Sequence, residues 1–432
     1  MSRKRTQNGN NTGLEAAERR LIKSLDEDEV IGYCKKLIAI PSVFGSELRI
    51  SKEIARDLKD FGLDVTSVPV PKCGPCVVAV GSTRSSKPKP KRTHQNPALI
   101  LNGHIDTVQV CDGWKRDPFS PSVEGDKLYG LGSFDMKGGI TAMIMAAKLL
   151  LSSDVTLKRD FAVHAVTDEE GWSTGTSTLI DQGFYNGTRC CIVGEPSDLS
   201  RLRNTRRGRC LVDIFVGGKS THGAQPEHGI NAIVEAGKVV KALSALPDKT
   251  HARILDFKLK PLKSSSCVLK IEGGSDALSV PDKCTIRLDR HVLPGTGLRQ
   301  ELEEIKSYLK RTLNDETFSR TRIEFSSRPN GTSNYEGYET DPKSDLIKVI
   351  TDVSRNFGYD PSLIAGLSVA DDCLIAARCT IPVVSYGPDG DISTHASGGA
   401  HESDEFVLTK QVVDATKIYA ISALRILNRS EN

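Results

Sequence analysis

The sequence has little excess charge of either sign and no long apolar run. Its 58 Lys and Arg residues nearly balance its 55 Asp and Glu residues, which leaves a formal net charge of +3. Such a charge gives no electrostatic reason to bind nucleic acid or an anionic membrane. The longest apolar run, near residues 143–151, is interrupted by Lys148 and is shorter than the about 18 residues of a transmembrane helix. We therefore expect neither a nucleic-acid partner nor a membrane partner.

The amino-terminal residues also lack the apolar segment that a signal peptide needs. They read MSRKRTQNGNNTG, which is basic and polar. We predict a polar tail over residues 1–14 and expect the protein in the cytoplasm.

The cysteines do not suggest a disulfide framework. The chain has 11 of them, an odd and scattered set, so reduced thiols are the simplest interpretation for a large intracellular protein. The stretch CGPC at Cys73–Cys76 has the spelling of a thioredoxin-type redox pair, which requires a helix directly after it. A strand-like VVAV follows instead. We favour a turn between two strands, with a thiol oxidoreductase as the alternative.

Helical and strand-like patterns alternate over most of the chain, which predicts an α/β fold with a mainly parallel sheet. The two segments of a larger domain are predicted at residues 15–207 and 326–432, with a basic, Pro- and Lys-rich surface insert at residues 83–97. Between them, residues 208–325 follow a β-α-β-β-α-β order, typical of a small ferredoxin-like α+β domain. The sequence therefore predicts a small domain inserted into a larger one.

Titratable side chains follow several predicted strands of the larger domain. In a parallel sheet the carboxyl ends of the strands meet along one edge, where ligands bind. His104 and Asp106 also point the same way, because side chains alternate along a strand. The residues expected at this edge are His104, Asp106, Asp135, Asp168, Glu169, Glu170, Glu195 and His401.

So many carboxylates in one crevice would repel each other unless cations neutralise them. No comparable set of Lys or Arg residues follows the same strands. Mixed His and carboxylate ligands suit Zn²⁺, and also Mn²⁺ or Co²⁺. The pattern predicts two divalent ions in a hydrolytic site, with Asp106 holding the second ring nitrogen of His104.

Each motif has a simpler interpretation when it is taken alone. His104 and Asp106 could form an ordinary polar cluster, and Asp135 could cap a helix. Glu195 with Pro196 could form a turn, and residues 403–405 could cap the last helix. Their occurrence together at one sheet edge favours the metal site.

The combined motifs resemble the M20 metallopeptidase family, which includes acetylornithine deacetylase, succinyl-diaminopimelate desuccinylase, aminoacylase and glutamate carboxypeptidase. They extend from about residue 15 to about residue 425. The matching stretches are NGHIDTV, GLGSFDMKGG, TDEEGWSTGT, VGEPS, KSTHGAQPEHGINAI, LDRHVLPG and YGP…GGAHESDEFV.

This resemblance implies a role for each residue of the cluster. His104 and Glu195 would bind one metal ion, Glu170 and His401 the other, and Asp135 would bridge both. Asp106 would support His104, and Glu169 would be the general base. The resemblance also implies a zinc-peptidase-like catalytic domain, and a lid or dimerisation domain in the insert.

Four further residues follow from the resemblance. In relatives the His that corresponds to His222 reaches an active site across a dimer, and Asn231 matches a residue near the same site. Arg290 would bind a substrate carboxylate, although His291 stands where relatives often carry Arg. Asp371, in GLSVADDCLIA, is the counterpart of a position that faces the substrate.

The resemblance thus implies a homodimeric metal hydrolase that cleaves the amide bond of an N-acyl amino acid. The deacetylase and desuccinylase branch is favoured, because the motifs GSFDMKGG and VGEPS resemble those of its members. A dipeptidase or carboxypeptidase of the same family is the alternative, with a short peptide as substrate. A non-catalytic binding or regulatory protein would have lost a ligand or the base, and none is missing.

Overall fold

A computed structural model describes residues 15–82, 96–327, 334–390 and 399–429. The predicted tail at residues 1–14 and nearly all of the insert predicted at 83–97 lie outside these ranges. The chain divides into two compact units. Unit 1 comprises residues 1–204, 340–364 and 370–432, and unit 2 comprises residues 205–339 and 365–369.

Helices occur along the whole described chain. The first two are separate helices, because the Asp26 side chain caps the start of the second by accepting from the Asp28 and Glu29 amides. The helices are Ala16–Lys23 (α1), Glu27–Ile38 (α2), Leu48–Asp60 (α3), Gly138–Ser152 (α4), Thr174–Asp181 (α5), Ala232–Ser244 (α6), Leu298–Thr312 (α7), Asp315–Ser319 (α8), Asp345–Arg355 (α9), Asp371–Cys379 (α10) and Thr409–Asn428 (α11). Within the described ranges, none of them is both long and apolar enough to cross a membrane.

The strands are mostly short and lie in both units. They are Asp64–Val68 (β1), Cys76–Gly81 (β2), Leu99–His104 (β3), Ser122–Glu124 (β4), Lys127–Tyr129 (β5), Phe161–Val166 (β6), Cys190–Val193 (β7), Arg201–Arg206 (β8), Gly208–Gly217 (β9), Thr250–Leu255 (β10), Pro261–Lys263 (β11), Ser265–Gly273 (β12), Lys283–Val292 (β13), Thr321–Phe325 (β14), Tyr338–Glu339 (β15), Ser362–Gly366 (β16), Val383–Ser385 (β17) and Phe406–Leu408 (β18).

The main sheet of unit 1 confirms the predicted α/β class. Its strands follow the order β1-β2-β6-β3-β7-β17-β8. The central pairs β6-β3, β3-β7 and β7-β17 are parallel, whereas the pairs toward both edges are antiparallel. Strands β3, β6 and β7 are buried along their whole length. Their carboxyl ends therefore meet at one edge of a rigid platform.

One face of this sheet packs against helices in an apolar core. Leu99 and Leu101 of β3 lie in the same buried cluster as Met143 of α4 and Ile418 of α11. Helix α4 is buried almost all round, because α11 packs against it. This packing explains why its sequence, GGITAMIMAAKLLLS, shows little helical periodicity.

The opposite face of the sheet carries buried polar side chains. Asn102 of β3 is paired in register with His164 of β6. The Tyr185 hydroxyl donates to Asn102 Oδ1 at 2.8 Å, and the Thr176 hydroxyl donates to Asp371 Oδ2 at 2.7 Å. Asn102 Nδ2 lies 3.4 Å from the same Asp371 oxygen. A hydrogen-bonded layer thus lies beneath the strand that ends at His104.

The CGPC stretch forms a turn between β1 and β2, as favoured from the sequence. Cys76 is the first residue of β2, so no helix begins there. Burial raises the pKa of both Cys73 and Cys76 to about 12, which leaves them as neutral thiols. The Gly74 amide donates to the carboxylate of Glu47, the residue before α3, at 2.9 Å. These contacts indicate a structural turn.

Unit 2 has its own sheet and core. Its four strands are antiparallel in the order β12-β13-β9-β14, and α6 and α7 bury apolar side chains against them. The chain order β9-α6-β12-β13-α7-β14 contains the β-α-β-β-α-β pattern read from the sequence. The unit extends beyond residue 325, because Tyr338 and Glu339 pair with Arg206 and Thr205.

The buried His164 predicts a specific pH dependence of stability. Both of its ring nitrogens are buried without a hydrogen-bond partner in the described structure, and burial lowers its pKa to about 3. The unfolded chain therefore takes up a proton below about pH 6.5 that the folded chain refuses. As the pH falls from about 6.5 toward 3, this group alone lowers the free energy of unfolding by about 1.4 kcal/mol per pH unit. His164→Leu should remove this contribution in urea unfolding of metal-free protein.

The exposed His228 supplies the matched control for this experiment. His228→Leu should retain the wild-type slope of unfolding free energy against pH, whatever its effect on absolute stability. Equal acid slopes for His164→Leu and the wild type would contradict the prediction.

Candidate metal centre

The predicted ligands of unit 1 come together at the carboxyl edge of its sheet. His104 is the last residue of β3, and Glu170 and Glu195 follow β6 and β7. Asp135 lies in a short helical turn, Ser133–Lys137, directly before α4. His401 precedes β18 and has a positive φ of 63°. Elements far apart in the chain therefore supply one cluster of imidazole and carboxylate groups.

One group of potential ligands consists of His104, Asp135 and Glu195. His104 Nε2 lies 3.0 Å from Asp135 Oδ1 and 3.8 Å from Glu195 Oε1. One donor atom from each of the three residues falls within 4.8 Å of the others. One imidazole and two carboxylates at such separations can hold a divalent cation.

The second group consists of Asp135, Glu170 and His401. His401 Nε2 lies 3.0 Å from Glu170 Oε1 and 3.8 Å from Asp135 Oδ2. Asp135 therefore presents Oδ1 to His104 and Oδ2 to His401. A carboxylate placed in this way can bridge two cations.

Asp106 connects the two groups, although not quite as the sequence suggested. His104 Nδ1 lies 3.0 Å from the main-chain carbonyl oxygen of Asp106 and 3.6 Å from its carboxylate Oδ1. The other carboxylate oxygen accepts from the Glu170 amide at 3.0 Å. The carbonyl thus orients the His104 ring more closely than the carboxylate does, while the side chain positions Glu170.

The electrostatics of the cluster favour added positive charge. Burial raises the pKa of Asp106 to about 7. Burial and the neighbouring Glu195 raise the pKa of the half-buried Glu169 well above its usual value. The hydrogen bond to Glu170 raises the pKa of His401 to about 9. Burial opposes a charge on His104, but Asp135 and Asp106 outweigh it and raise that pKa as well.

These shifts and the donor set together fit divalent cations. The carboxylates stabilise protons on two histidines, where cations would supply the same charge and bind neutral imidazole. Nitrogen and carboxylate ligands without thiolates suit Zn²⁺, Co²⁺ and Mn²⁺ alike. The residues present therefore fit two such ions, and Asp135 would touch both.

His222 and Asn231 lie in unit 2 and have local contacts there. His222 is exposed, and its Nδ1 accepts from the Ala224 amide at 3.1 Å. Asn231 is the N-cap of α6, where its Oδ1 accepts from the Ile233 amide at 2.9 Å. This capping role explains an Asn at this position without reference to a substrate.

Arg290, which was predicted to contact a substrate carboxylate, has a full set of partners within unit 2. The side chain is 1% exposed, and Nε donates to Glu301 Oε1 at 2.7 Å. Nη1 donates to Ser266 Oγ at 2.8 Å and lies 3.3 Å from Asp248 Oδ1. A guanidinium committed to these partners is a structural ion pair of unit 2.

Asp371, the predicted counterpart of a substrate-facing position, is 1% exposed in the described structure. Its Oδ2 accepts from Thr176 and lies near Asn102, in the polar layer beneath the sheet edge. Asp371 is the first residue of α10, and it supports the site from behind. The sequence alone could not distinguish a carboxylate that faces the substrate from one that lies behind the site, because both would follow the same strand ends.

The sequence analysis missed the role of Glu405. A helix cap was the simpler alternative for residues 403–405, but β18 intervenes and α11 begins only at Thr409. The Glu405 carboxylate instead accepts from main-chain amides of the turn that carries Asp135. Its position four residues after His401 was the only available signal.

Comparison with known proteins places these observations in a family. The model of peptidase family M20/M25/M40 matches residues 100–425, and the chain belongs to this family. The predicted resemblance is therefore confirmed. The family match includes all the metal-ligand candidates in both groups.

Two curated relatives match over most of the chain. Acetylornithine deacetylase of Klebsiella pneumoniae is 28% identical over 389 residues, which cover 87% of this chain and 92% of the relative. Succinyl-diaminopimelate desuccinylase of Gluconacetobacter diazotrophicus is 28% identical over 408 residues, covering 91% and 96%.

Solved structures share the fold at lower identity. A tripeptidase from Staphylococcus aureus gives a TM-score of 0.72 at 18% identity and covers 94% of this chain and 100% of its own. A dinuclear metal-binding peptidase of the M20 family from Bacillus subtilis gives 0.65 at 15% identity, covering 93% and 98%. The fold is thus that of M20 peptidases.

The geometry predicts how many cations each ligand controls. His401→Ala should reduce bound metal from two ions to about one per chain, because His401 belongs to one group only. Asp135→Ala should weaken both sites, since its two oxygens serve both groups. Metal content after dialysis and calorimetric titration of metal-free protein would measure these losses. Retention of two tightly bound ions by Asp135→Ala would contradict the bridging role, and His228→Ala serves as the matched control.

Proposed function

We propose that this protein is a metal-dependent hydrolase that cleaves the amide bond of an N-acyl amino acid. The observation that carries the proposal is the double placement of Asp135, with one oxygen toward His104 and the other toward His401. A carboxylate shared by two cation sites is the arrangement of a co-catalytic hydrolytic centre. Membership of the M20 family supports the same chemistry.

Two divalent cations would polarise the scissile carbonyl group and lower the pKa of the attacking water. Glu169 is the proposed general base, since it follows the same strand as the ligand Glu170 and its pKa is raised by burial. In this mechanism Glu169 accepts a proton from the water and passes it to the leaving amine. His222 is proposed to stabilise the oxyanion, and Asn231 to lie near the substrate.

The N-acyl amino acid is favoured because both curated relatives are named as enzymes that remove an acyl group. A second candidate is a short peptide, cleaved by dipeptidase or carboxypeptidase activity. The structural likeness to a tripeptidase keeps that candidate open. We propose Zn²⁺ as the first choice of ion, with Co²⁺ or Mn²⁺ as substitutes, because the donors suit all three.

Hydrolysis by metal-free protein should be absent and should return when metal is added. The assay would offer N-acetyl, N-succinyl and N-formyl amino acids together with dipeptides, and would restore Zn²⁺, Co²⁺ or Mn²⁺. Glu169→Gln should lower kcat by about 10²- to 10⁴-fold while retaining both cations, because it removes a proton acceptor and no ligand. The exposed carboxylate variant Glu124→Gln should hydrolyse at the wild-type rate.

The possible results separate the parts of this proposal. Turnover of acylated amino acids alone selects the deacylase, and turnover of peptides alone selects the second candidate. Full activity of Glu169→Gln would remove Glu169 from the mechanism. Failure of the wild type to bind metal would overturn the proposed function.

We also propose a homodimer formed through unit 2. In the sheet of that unit β12 is an edge strand, and its Leu269 and Ile271 side chains are exposed. Val234, on the adjacent helix α6, is exposed as well. An edge strand with neighbouring apolar side chains offers both hydrogen-bonding groups and surface to a second copy.

The dimer can be tested by light scattering with size separation. The wild type should have twice the mass of its chain, and the double variant Val234→Glu, Ile271→Lys should have the mass of one chain, because burial of the introduced charges is costly. Leu259→Glu changes an exposed apolar residue elsewhere in unit 2 and should stay dimeric. A monomeric, fully active wild type would refute the dimer.

A further inference from the structure

The turn that carries Asp135 is held by a carboxylate from a distant part of the chain. Glu405 is 1% exposed and lies between His401 and β18. Its Oε1 accepts from the Phe134 amide at 2.8 Å and from the Asp135 amide at 3.0 Å. Its Oε2 accepts from the Gly132 amide at 3.0 Å. One side chain thus accepts hydrogen bonds from three main-chain amides of the turn, those of Gly132, Phe134 and Asp135.

The main chain of Glu405 reinforces this attachment. Its carbonyl oxygen accepts from the Gly130 amide at 2.9 Å. Gly130 and Gly132 both have positive φ, at 148° and 80°. The segment of residues 130–135 is therefore fastened to residue 405 at four amides, and its backbone is shaped to reach them.

The turn needs an external partner because it is not a regular helix. Asp135 has φ −123° and ψ 99°, and Met136 has φ −128° and ψ 38°, both outside helical values. Amides in such a conformation lack the repeating acceptors that a helix supplies. Without Glu405, the Phe134 and Asp135 amides would lose the carboxylate oxygen that accepts from them. The main chain at Asp135 would then no longer be fixed, and neither would the direction of its side chain.

We propose that Glu405 is a positioning residue that aims the Asp135 carboxylate at both cation sites. The Asp135 amide that Glu405 binds belongs to the residue whose Oδ1 lies 3.0 Å from His104 and whose Oδ2 lies 3.8 Å from His401. Glu405 also fixes the segment that carries His401, four residues before it. The inference rests on the proposed function, because it assigns Glu405 to the same centre.

A purely structural role for Glu405 would give a different set of measurements. A structural carboxylate would affect the unfolding temperature and leave the affinity and geometry of bound metal unchanged. A positioning residue also changes the metal affinity and the ligand field, because it alters the direction of a first ligand. Co²⁺ is the suitable probe, since its visible absorption reports coordination geometry independently of turnover.

The experiment is a Co²⁺ titration of metal-free protein, followed by visible absorption and competition with a chelating dye. Glu405→Ala should weaken Co²⁺ binding by about 10- to 100-fold and alter the absorption bands. Glu405→Gln should lose less affinity, because its carbonyl oxygen can still accept from Phe134 and Asp135 while its amino group opposes the Gly132 amide. If Glu405→Ala does not fold, Glu405→Gln supplies the same comparison.

Glu18 provides a matched control in the same unit. It is also a buried glutamate, and it accepts from Arg425 Nε at 2.6 Å and from the Glu15 amide at 2.8 Å. Glu18→Gln should lower the unfolding temperature and keep the wild-type Co²⁺ affinity and spectrum. Wild-type affinity and spectrum in both Glu405 variants would overturn the inference and leave the proposed function intact. Failure of the wild type to bind Co²⁺ would instead overturn the proposed function.

Discussion

The central constraint on unit 1 is that one carboxylate, Asp135, faces two histidines, His104 and His401, that are far apart in the chain. His104 ends β3, whereas His401 lies shortly before the last helix. The Asp135 carboxylate oxygens lie 3.0 Å from His104 Nε2 and 3.8 Å from His401 Nε2. These distances leave little conformational freedom to the turn that carries Asp135. The parallel sheet supplies one side of this arrangement, and the segment that ends at Glu405 supplies the other. Divalent cations would complete this arrangement, because they would supply the positive charge that the carboxylates otherwise favour on the two histidines.

The parts that the sequence could predict depend on local or periodic signals. Buried apolar runs predicted β3, β6 and β7, and the geometry of a parallel sheet then required that the residues after them converge. His104, Glu170 and Glu195 were found in this way. The ferredoxin-like strand and helix order of unit 2 followed from alternation and helical spacing for the same reason. Such signals are carried by neighbouring residues, so a single sequence contains them.

The parts that could not be predicted depend on pairings between distant residues. Nothing near Arg290 in the sequence reveals that Glu301 and Ser266 will enclose its guanidinium. The same holds for Glu405, whose partners in the turn are 270 or more residues away. When a carboxylate accepts from main-chain amides, the residue types of the donors give no signal in the sequence, because every non-proline residue has an amide N–H group. Family resemblance could assign a substrate role to Arg290 and Asp371 for this reason, while the local packing supports another.

The buried polar layer beneath the sheet supports the site from behind in a similar way. Asn102 and His104 lie two residues apart on β3, so their side chains leave the same face of the sheet. Asn102 is held by Tyr185, and Asp371 is held by Thr176 next to it. These hydrogen bonds satisfy polar groups that would be costly to bury alone, and they restrict the strand from which His104 projects. Two of the metal ligands are thus supported from behind, Asp135 by Glu405 through its turn and His104 by this layer through β3.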